Sequence, residues 1–346
     1  MRQILLGLSG GVDSAVAASI LMNEGYNVTG CFLLLTEDSS PDSPEAISAK
    51  QTADILGIEL ITADYRKRFK EYVSDYFVSE YLSGKTPNPC IRCNPTVKIH
   101  SLIETAENCG IEKIATGHYA LTEHSEKHAQ TVLKASPSKK DQSYFLSRLS
   151  PSQIEKVVFP LGKFSSKEEV RLYAQNLCLP NAKKADSQEI CFIPDNNYQN
   201  YICTQSDFIS VPGVFLDNDN TPIGTHTGII NYTVGQRKGL GAFGEPRYVK
   251  SINAKDNTIT LCKKDERFAA SLDATDISWA ISRPMQGELS CKVKIRSTAP
   301  AAPGTVHFRD DGFSVSFLSP VLAPTPGQTA AIYDDDNIII ASGIIV

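Results

Sequence analysis

The sequence predicts an α/β protein: an N-terminal doubly wound, mostly parallel sheet, then a small central domain and a C-terminal β-barrel. Three observations predict it. Short apolar stretches alternate with helical patterns through roughly the first two hundred residues. The first of these stretches runs straight into a glycine-bearing turn that opens an apolar helix. Farther on, the apolar spacing changes from helical to strictly alternating. The boundaries expected on this reading are 1–198, 199–268 and 269–346.

In chain order, Ile4–Leu8, Val28–Leu35, Glu59–Ala63 and Lys113–Thr116 read as strands. Between them Ser14–Asn23, Glu45–Leu56 and Thr96–Cys109 place apolar residues at helical spacing, so the order is βαβα. Open sheets of this kind bind ligands at the carboxyl ends of their strands. In the last third, Leu289, Cys291, Val293 and Ile295 alternate with polar residues and share one face of a strand. Asp310-Asp311-Gly312 and Asp334–Asn337 are turn sequences that join strand pairs. There is no internal repeat.

Composition narrows the setting. The N-terminus lacks the apolar stretch of a signal peptide, and the run from Ile338 to Val346 is too short to span a bilayer, so a cytoplasmic protein without a membrane segment is expected. Nine cysteines in 346 residues then argue for free thiols, a metal site or catalysis rather than a disulfide framework. The net charge of −5 is no nucleic-acid footprint, so any RNA contact must rest on local clusters such as Arg66-Lys67-Arg68, Lys139-Lys140, Lys183-Lys184 and Arg237-Lys238.

The first strand leads through Gly7 and Leu8 into Ser9-Gly10-Gly11-Val12-Asp13-Ser14. Glycines let the backbone close on a polyphosphate, and a helix N-terminus offers unpaired N–H groups and a positive dipole end. Ser9 and Ser14 add hydroxyls, and Asp13 suits a magnesium ion bridging phosphate oxygens. The alternative is a plain strand-to-helix turn with an N-cap. Two other nucleotide motifs fail: no Gly-x-Gly-x-x-Gly follows the first strand, and Gly84-Lys85-Thr86 has Ser79 where a Walker motif needs glycine and Pro87 directly after it.

The Ser9–Ser14 loop resembles the pyrophosphate loop of N-type ATP pyrophosphatases, which cleave ATP between the α and β phosphates. The resemblance implies an adenine nucleotide α-hydrolase-like fold, ATP bound along Gly7, Leu8, Ser9, Gly10, Gly11, Val12, Asp13 and Ser14, and release of pyrophosphate with adenylation of a substrate. Further motifs choose among its members. Thr86-Pro87-Asn88-Pro89-Cys90-Ile91-Arg92-Cys93-Asn94 sets two thiols three residues apart, and Asp186-Ser187-Gln188-Glu189-Ile190-Cys191-Phe192-Ile193 supplies a third. With Thr116-Gly117-His118-Tyr119, Lys140–Leu146 and Tyr232–Gly241 they resemble the tRNA-specific 2-thiouridylase family, in order and from the first strand to the last residues.

That resemblance implies thiolation at C2 of the wobble uridine in tRNAs for lysine, glutamate and glutamine. Cys191 matches the cysteine that receives persulfide sulfur, from an upstream cysteine desulfurase or sulfur-relay protein, and Cys93 its nucleophilic partner. The chemistry needs both, because the outer sulfur stays on the base only if a second thiolate cleaves the sulfur–sulfur bond. Two alternatives stay open on the residues: a lone C-x-x-C with core cysteines, and an iron–sulfur cluster on Cys90, Cys93 and Cys191, which is not favoured. Packing accounts for Cys31, Cys109, Cys178, Cys203, Cys262 and Cys291.

Leu33 and Gly117 match the adenine pocket, and both also suit sheet packing. Asn88, Pro89 and Cys90 match the segment that lies against the target base, although many relatives have Asp in place of Cys90. His118, Lys140, Asp141, Gln142, Arg237, Lys238, Arg296, Ser297 and Gln328 match RNA-contacting positions. Asp141 alone also reads as a helix N-cap, and Ser297 stands where an aromatic residue is common. An anticodon loop suits such a protein, since its bases unstack at low cost. Two rivals explain less: an amide synthetase leaves the three cysteines unused, and a non-catalytic RNA-binding module leaves Asp13 and the loop unused.

Overall fold

The computed structural model describes residues 2–177, 179 and 190–346. Its N-terminal strands are β1 (Arg2–Gly7), β2 (Tyr26–Leu34), β3 (Glu59–Asp64), β4 (Ile114–Ala115), the antiparallel hairpin β5 (Ala120–Ser125) and β6 (Gln130–Ala135), and β7 (Val157–Val158). Five of them form a parallel sheet in the order β3-β2-β1-β4-β7. The helices are α1 (Val12–Asn23), α2 (Pro44–Leu56), α3 (Arg66–Phe69), α4 (Asp75–Leu82), α5 (Pro89–Cys93), α6 (Ile99–Asn108), α7 (Pro151–Lys156), α8 (Lys167–Asn176) and α9 (Tyr198–Gln205).

Alternation along β1 explains why helices cover both faces of the sheet. Ile4 and Leu6 are fully buried against α1, α2 and α8, while Leu5 is fully buried on the other side with Cys31, Leu102 and Ala106. The expected βαβα order is therefore present. Its edges differ: β4 is two residues long instead of the four of Lys113–Thr116, because Thr116 and the residues after it turn away to reach the β5–β6 hairpin. The expected helix Thr96–Cys109 is α6 preceded by a π-helical turn over Asn94–Lys98.

The second sheet is antiparallel but for one pair: β8 (Gly213–Leu216), β9 (Pro222–His226), β10 (Tyr248–Asn253) and β11 (Thr258–Cys262) lie in the order β10-β11-β8-β9, with β8 and β11 parallel. The last six strands close into a barrel: β12 (Phe268–Trp279), β13 (Glu288–Lys294), β14 (Ala302–Phe308), β15 (Gly312–Leu322), β16 (Thr329–Tyr333) and β17 (Ile339–Ile345). The two turn sequences join β14 to β15 and β16 to β17, and the apolar run at the C-terminus is β17, buried in the barrel wall.

The barrel seats on the N-terminal unit through polar contacts around apolar ones. Gln328 Nε2 donates to the Thr86 carbonyl at 2.7 Å, Thr86 N–H to the Pro326 carbonyl at 2.9 Å, and Tyr144 Oη to the Thr329 carbonyl at 2.8 Å. The Gly84-Lys85-Thr86 segment is thus part of this seam. Among the described residues no helix is long and apolar enough to cross a membrane.

Candidate functional site

The strand order places a crevice between the carboxyl ends of β1 and β4, where the direction of winding reverses. Both walls are short loops. From β1 comes Ser9–Ser14; from β4 come Gly117 and His118. A Cβ on Gly117 would stand 2.9 Å from the Asp13 carbonyl carbon and the Ser14 nitrogen, so only glycine lets the two loops touch. Gly10 has φ +72°, and a Cβ there would meet the Glu45 carbonyl at 2.3 Å. Ser48 Oγ donates to the Gly10 carbonyl at 2.9 Å and pins the loop to α2.

Within the loop Ser14 Oγ donates to the Gly11 carbonyl at 3.0 Å and accepts from Ser9 N–H at 3.2 Å. Gly11 is the N-cap of α1 and brings no capping side chain, so the first N–H groups of the helix face the crevice. Leu33 lies near the end of β2, half-buried against the sheet core. Gly7, at the end of β1, is packed against Leu102. These residues together form an anion cradle of the kind a polyphosphate fits.

Asp13 is held in place by two side chains. Its Oδ1 accepts from Tyr119 Oη at 2.7 Å and its Oδ2 from Lys167 Nζ at 2.5 Å. Lys167 is buried at the start of α8, and Tyr119 follows His118 after β4. Both carboxylate oxygens are therefore engaged, each with a further lone pair, so Asp13 is the residue of this loop that would hold a magnesium ion beside a bound polyphosphate, where the ion would offset phosphate charge. Sequence reasoning missed Lys167 altogether and gave Tyr119 no role. A lysine directly after Ser166, a helix-capping serine, is the only local signal for the first.

The thiols gather at one side of the crevice. Asn88 caps α5, its Oδ1 accepting from Cys90 N–H at 3.2 Å and Ile91 N–H at 3.4 Å, with Pro89 at the first helical position. This fixes Cys93 as a buried side chain at the end of α5, beside Val97. Cys191 is exposed, but its neighbour Phe192 is wedged between Phe69, Phe77 and Tyr201 at ring distances of 5.3, 5.5 and 5.2 Å. Burial pushes the Cys93 thiol up to about 12, opposed by the Lys98 ammonium and reinforced by Cys191 and Cys90. Burial likewise raises Cys90, again opposed by Lys98 and reinforced by Cys191. Cys90, Cys93 and Cys191 thus share one small space with Lys98, a residue the sequence reading passed over. All described cysteines are free, and no three His, Cys, Asp or Glu side chains among the described residues group as metal ligands do.

Of the Asp186–Ile193 motif, residues 186–189 lie outside the described residues, as do Lys183, Lys184 and Cys178. His118 is held by Thr116 Oγ1 at 2.8 Å from its Nδ1; burial, then the Lys98 charge, drives its pKa down to about 3, so the imidazole is neutral. Asp141 accepts from Ser136 N–H, Ser143 N–H and Ser143 Oγ, and Gln142 Oε1 accepts from Tyr119 N–H at 2.9 Å, so Lys140-Asp141-Gln142 is a turn latched onto the edge of the crevice. Arg237 and Lys238 are exposed on a loop ordered by Gln236, which bridges Thr233 N–H and the Lys238 carbonyl; with Leu240, Phe243 and Arg247, Arg237 lines a depression of about 360 Å³. Arg296 donates to the Leu322 and Ala323 carbonyls, Gln328 to Thr86 as described, and Ser297 is exposed beside Arg296. Arg296 and Gln328 thus have partners inside the chain.

Three family models match the chain in succession. They are the tRNA methyl transferase HUP domain over residues 2–195, the tRNA methyl transferase PRC-barrel domain over 200–263 and the aminomethyltransferase beta-barrel domain over 269–345. A tRNA-specific 2-thiouridylase from Acetivibrio thermocellus is 40% identical over 357 residues, covering 99% of each chain. The chain belongs to the tRNA-specific 2-thiouridylase family. The Treponema denticola 2-thiouridylase is 41% identical across 99% of this chain and 97% of its own, and that of Clostridioides difficile 39% identical across 99% and 98%. In this 2-thiouridylase-family chain His118 links the two groups of residues, following Gly117 against the Asp13 loop and feeling the charge of Lys98 beside the cysteines.

Proposed function

We propose that the protein is a tRNA-uridine 2-sulfurtransferase that consumes ATP and releases AMP and pyrophosphate. The observation that supports the reading most directly is the meeting of Cys93 and Cys191 beside the β1–β4 crevice, 98 residues apart in sequence. ATP lies with its phosphates on Ser9–Ser14. The O2 of the wobble uridine of a lysine, glutamate or glutamine tRNA attacks the α phosphate, and pyrophosphate leaves. The chain's own cation there is Lys167, paired with Asp13, whose other oxygen accepts from Tyr119.

Cys191, exposed enough to receive sulfur from a cysteine desulfurase or relay protein, carries the persulfide. Its outer sulfur bonds to C2, and AMP leaves with the former O2. The Cys93 thiolate then bonds to the Cys191 sulfur, the sulfur–sulfur bond breaks, and its electron pair stays on the sulfur attached to C2. Two thiols end as a disulfide, which a dithiol reductant resets. In this reading the units 1–198, 199–268 and 269–346 divide the work: the first performs the chemistry, and the basic loop at Arg237-Lys238 with the barrel holds the anticodon arm in the cytoplasm's tRNA pool.

Mass spectrometry of tRNA nucleosides from cells lacking the protein tests this. Loss of 2-thiouridine derivatives is expected, with restoration by the wild type and none by Cys191→Ser. Persistence of those nucleosides, with no second copy of the enzyme in the cell, refutes the assignment.

A further inference from the structure

Lys98 is a half-buried lysine with thiols for neighbours. Among the described residues the side chains that act on its charge, after burial, are Cys93, Cys191 and Cys90. The ammonium reaches this position because of the π-helical turn over Asn94–Lys98. In an α-helix, residues five apart point about 140° away from each other round the axis. A turn closed by bonds between residues five apart stacks them instead, so Cys93 and Lys98 project from the same face.

Pro95 accounts for the turn. It has no N–H to give the Ile91 carbonyl, and its ring would press on that carbonyl in a tight helix. The wider turn keeps its own carbonyls satisfied: Arg92 accepts from Thr96 Oγ1 at 2.6 Å, Pro95 from Gln153 Nε2 at 2.7 Å and Thr96 from Arg68 Nε at 2.6 Å. One side chain of the turn itself, Thr96, and two from elsewhere in the chain, Gln153 and Arg68, thus hold open a helix defect that sets Lys98 on the same face as Cys93.

We propose that Lys98 is a catalytic residue of the sulfur-transfer step: its ammonium stabilises the Cys93 thiolate as that thiolate attacks the Cys191 persulfide. The proposal rests on the roles of Cys93 and Cys191 given above. Cys93 loses its proton to water, bonds to the inner persulfide sulfur and is oxidised with Cys191 to the disulfide, while the transferred sulfur takes the electron pair. A cation is needed because Cys93 is buried, where a thiolate without compensation forms rarely. His118, which the Lys98 charge also reaches, is neutral and supplies no charge of its own.

The test is a single turnover with labelled persulfide loaded on Cys191, followed for wild type, Lys98→Met, Lys98→Gln and Lys98→Arg. Pyrophosphate release, label reaching tRNA, and the Cys93–Cys191 disulfide are measured together, with iodoacetamide labelling of Cys93 set against exposed Cys109 as an internal reference. In Lys98→Met and Lys98→Gln, transfer and disulfide formation should slow together by about ten-fold or more, since each pKa unit lost by the thiolate costs a factor of ten. Cys93 labelling should fall in parallel, pyrophosphate release should stay within about two-fold, and Lys98→Arg should recover much of the loss. Unchanged transfer, or pyrophosphate release falling as far as transfer does, overturns the role of Lys98. Wild-type transfer without a Cys93–Cys191 disulfide would instead overturn the underlying cysteine reading, and the Cys93 labelling ratio would still judge Lys98.

Discussion

His118 shows how a single side chain reports its surroundings. A histidine in the unfolded chain titrates near 6.5, and in the fold burial and the Lys98 charge depress it to about 3. The folded state therefore binds fewer protons than the unfolded state between those values. Stability falls as the pH drops through that window and is unaffected by this group above it. His118→Asn, which keeps a polar ring-sized group but does not titrate, should flatten the acid limb of the stability curve by up to about one proton's worth of slope. Urea unfolding between pH 7 and 4 measures it, and parallel curves for the two proteins would mean that His118 is protonated in the fold. At this scale the sequence was informative where chemistry resides in the residue type. Cys93, Cys191 and the Ser9–Ser14 loop are conspicuous by what they are, whereas Lys167 matters only because the fold brings it to Asp13 from 154 residues away. Lys98 likewise looked like any surface lysine.

Elements position these groups, and glycine sets the closest tolerance. The loop after β1 presses Gly10 onto α2 so closely that an added Cβ would overlap the Glu45 carbonyl, and the backbone there is left-handed as well. Gly10→Ala should therefore cost more than about 2 kcal/mol, combining backbone strain with a contact to main chain that cannot rotate away. Gly57, also left-handed but with open space around it, is the control and should lose about 1 kcal/mol on the same change. Chemical denaturation of the two variants measures the difference, and equal losses would show that the loop relaxes freely. Periodicity made α1, α2 and the first three strands legible. It failed at Asn94–Lys98 because a π turn has no signature in a 3.6-residue pattern, only the out-of-place Pro95. At β4 it found the strand and overran its ends, since two residues are too few to mark a boundary by alternation.

Across the whole molecule the separate units have to serve one substrate, and charge is where that is most exposed to test. The alternation of apolar residues foretold β structure in the last third, but not that Gln328 would fasten it to the Thr86 segment leading into the cysteine helix and Tyr144 would bond the Thr329 carbonyl, since docking depends on which surfaces meet and not on any local pattern. The same holds for RNA binding. A chain of net charge −5 attracts a polyanion only where cations stand clear of carboxylates. Arg237 and Lys238 are exposed on a loop that Gln236 orders, and Glu245, which lines the same depression, is paired with Arg247 and Lys263, whereas Arg296 is turned inward onto the Leu322 and Ala323 carbonyls. Each phosphate that a cation neutralises releases counterions, so the salt dependence of binding counts such contacts. Arg237→Ala should weaken tRNA binding and lower the slope of log affinity against log salt by about 1, whereas Arg296→Ala should leave that slope unchanged while reducing thermal stability. Titrations of tRNA over a series of salt concentrations, paired with melting curves, separate the two residues. A slope that falls with Arg296→Ala and not with Arg237→Ala would move the phosphate contact from the central sheet's loop to the barrel.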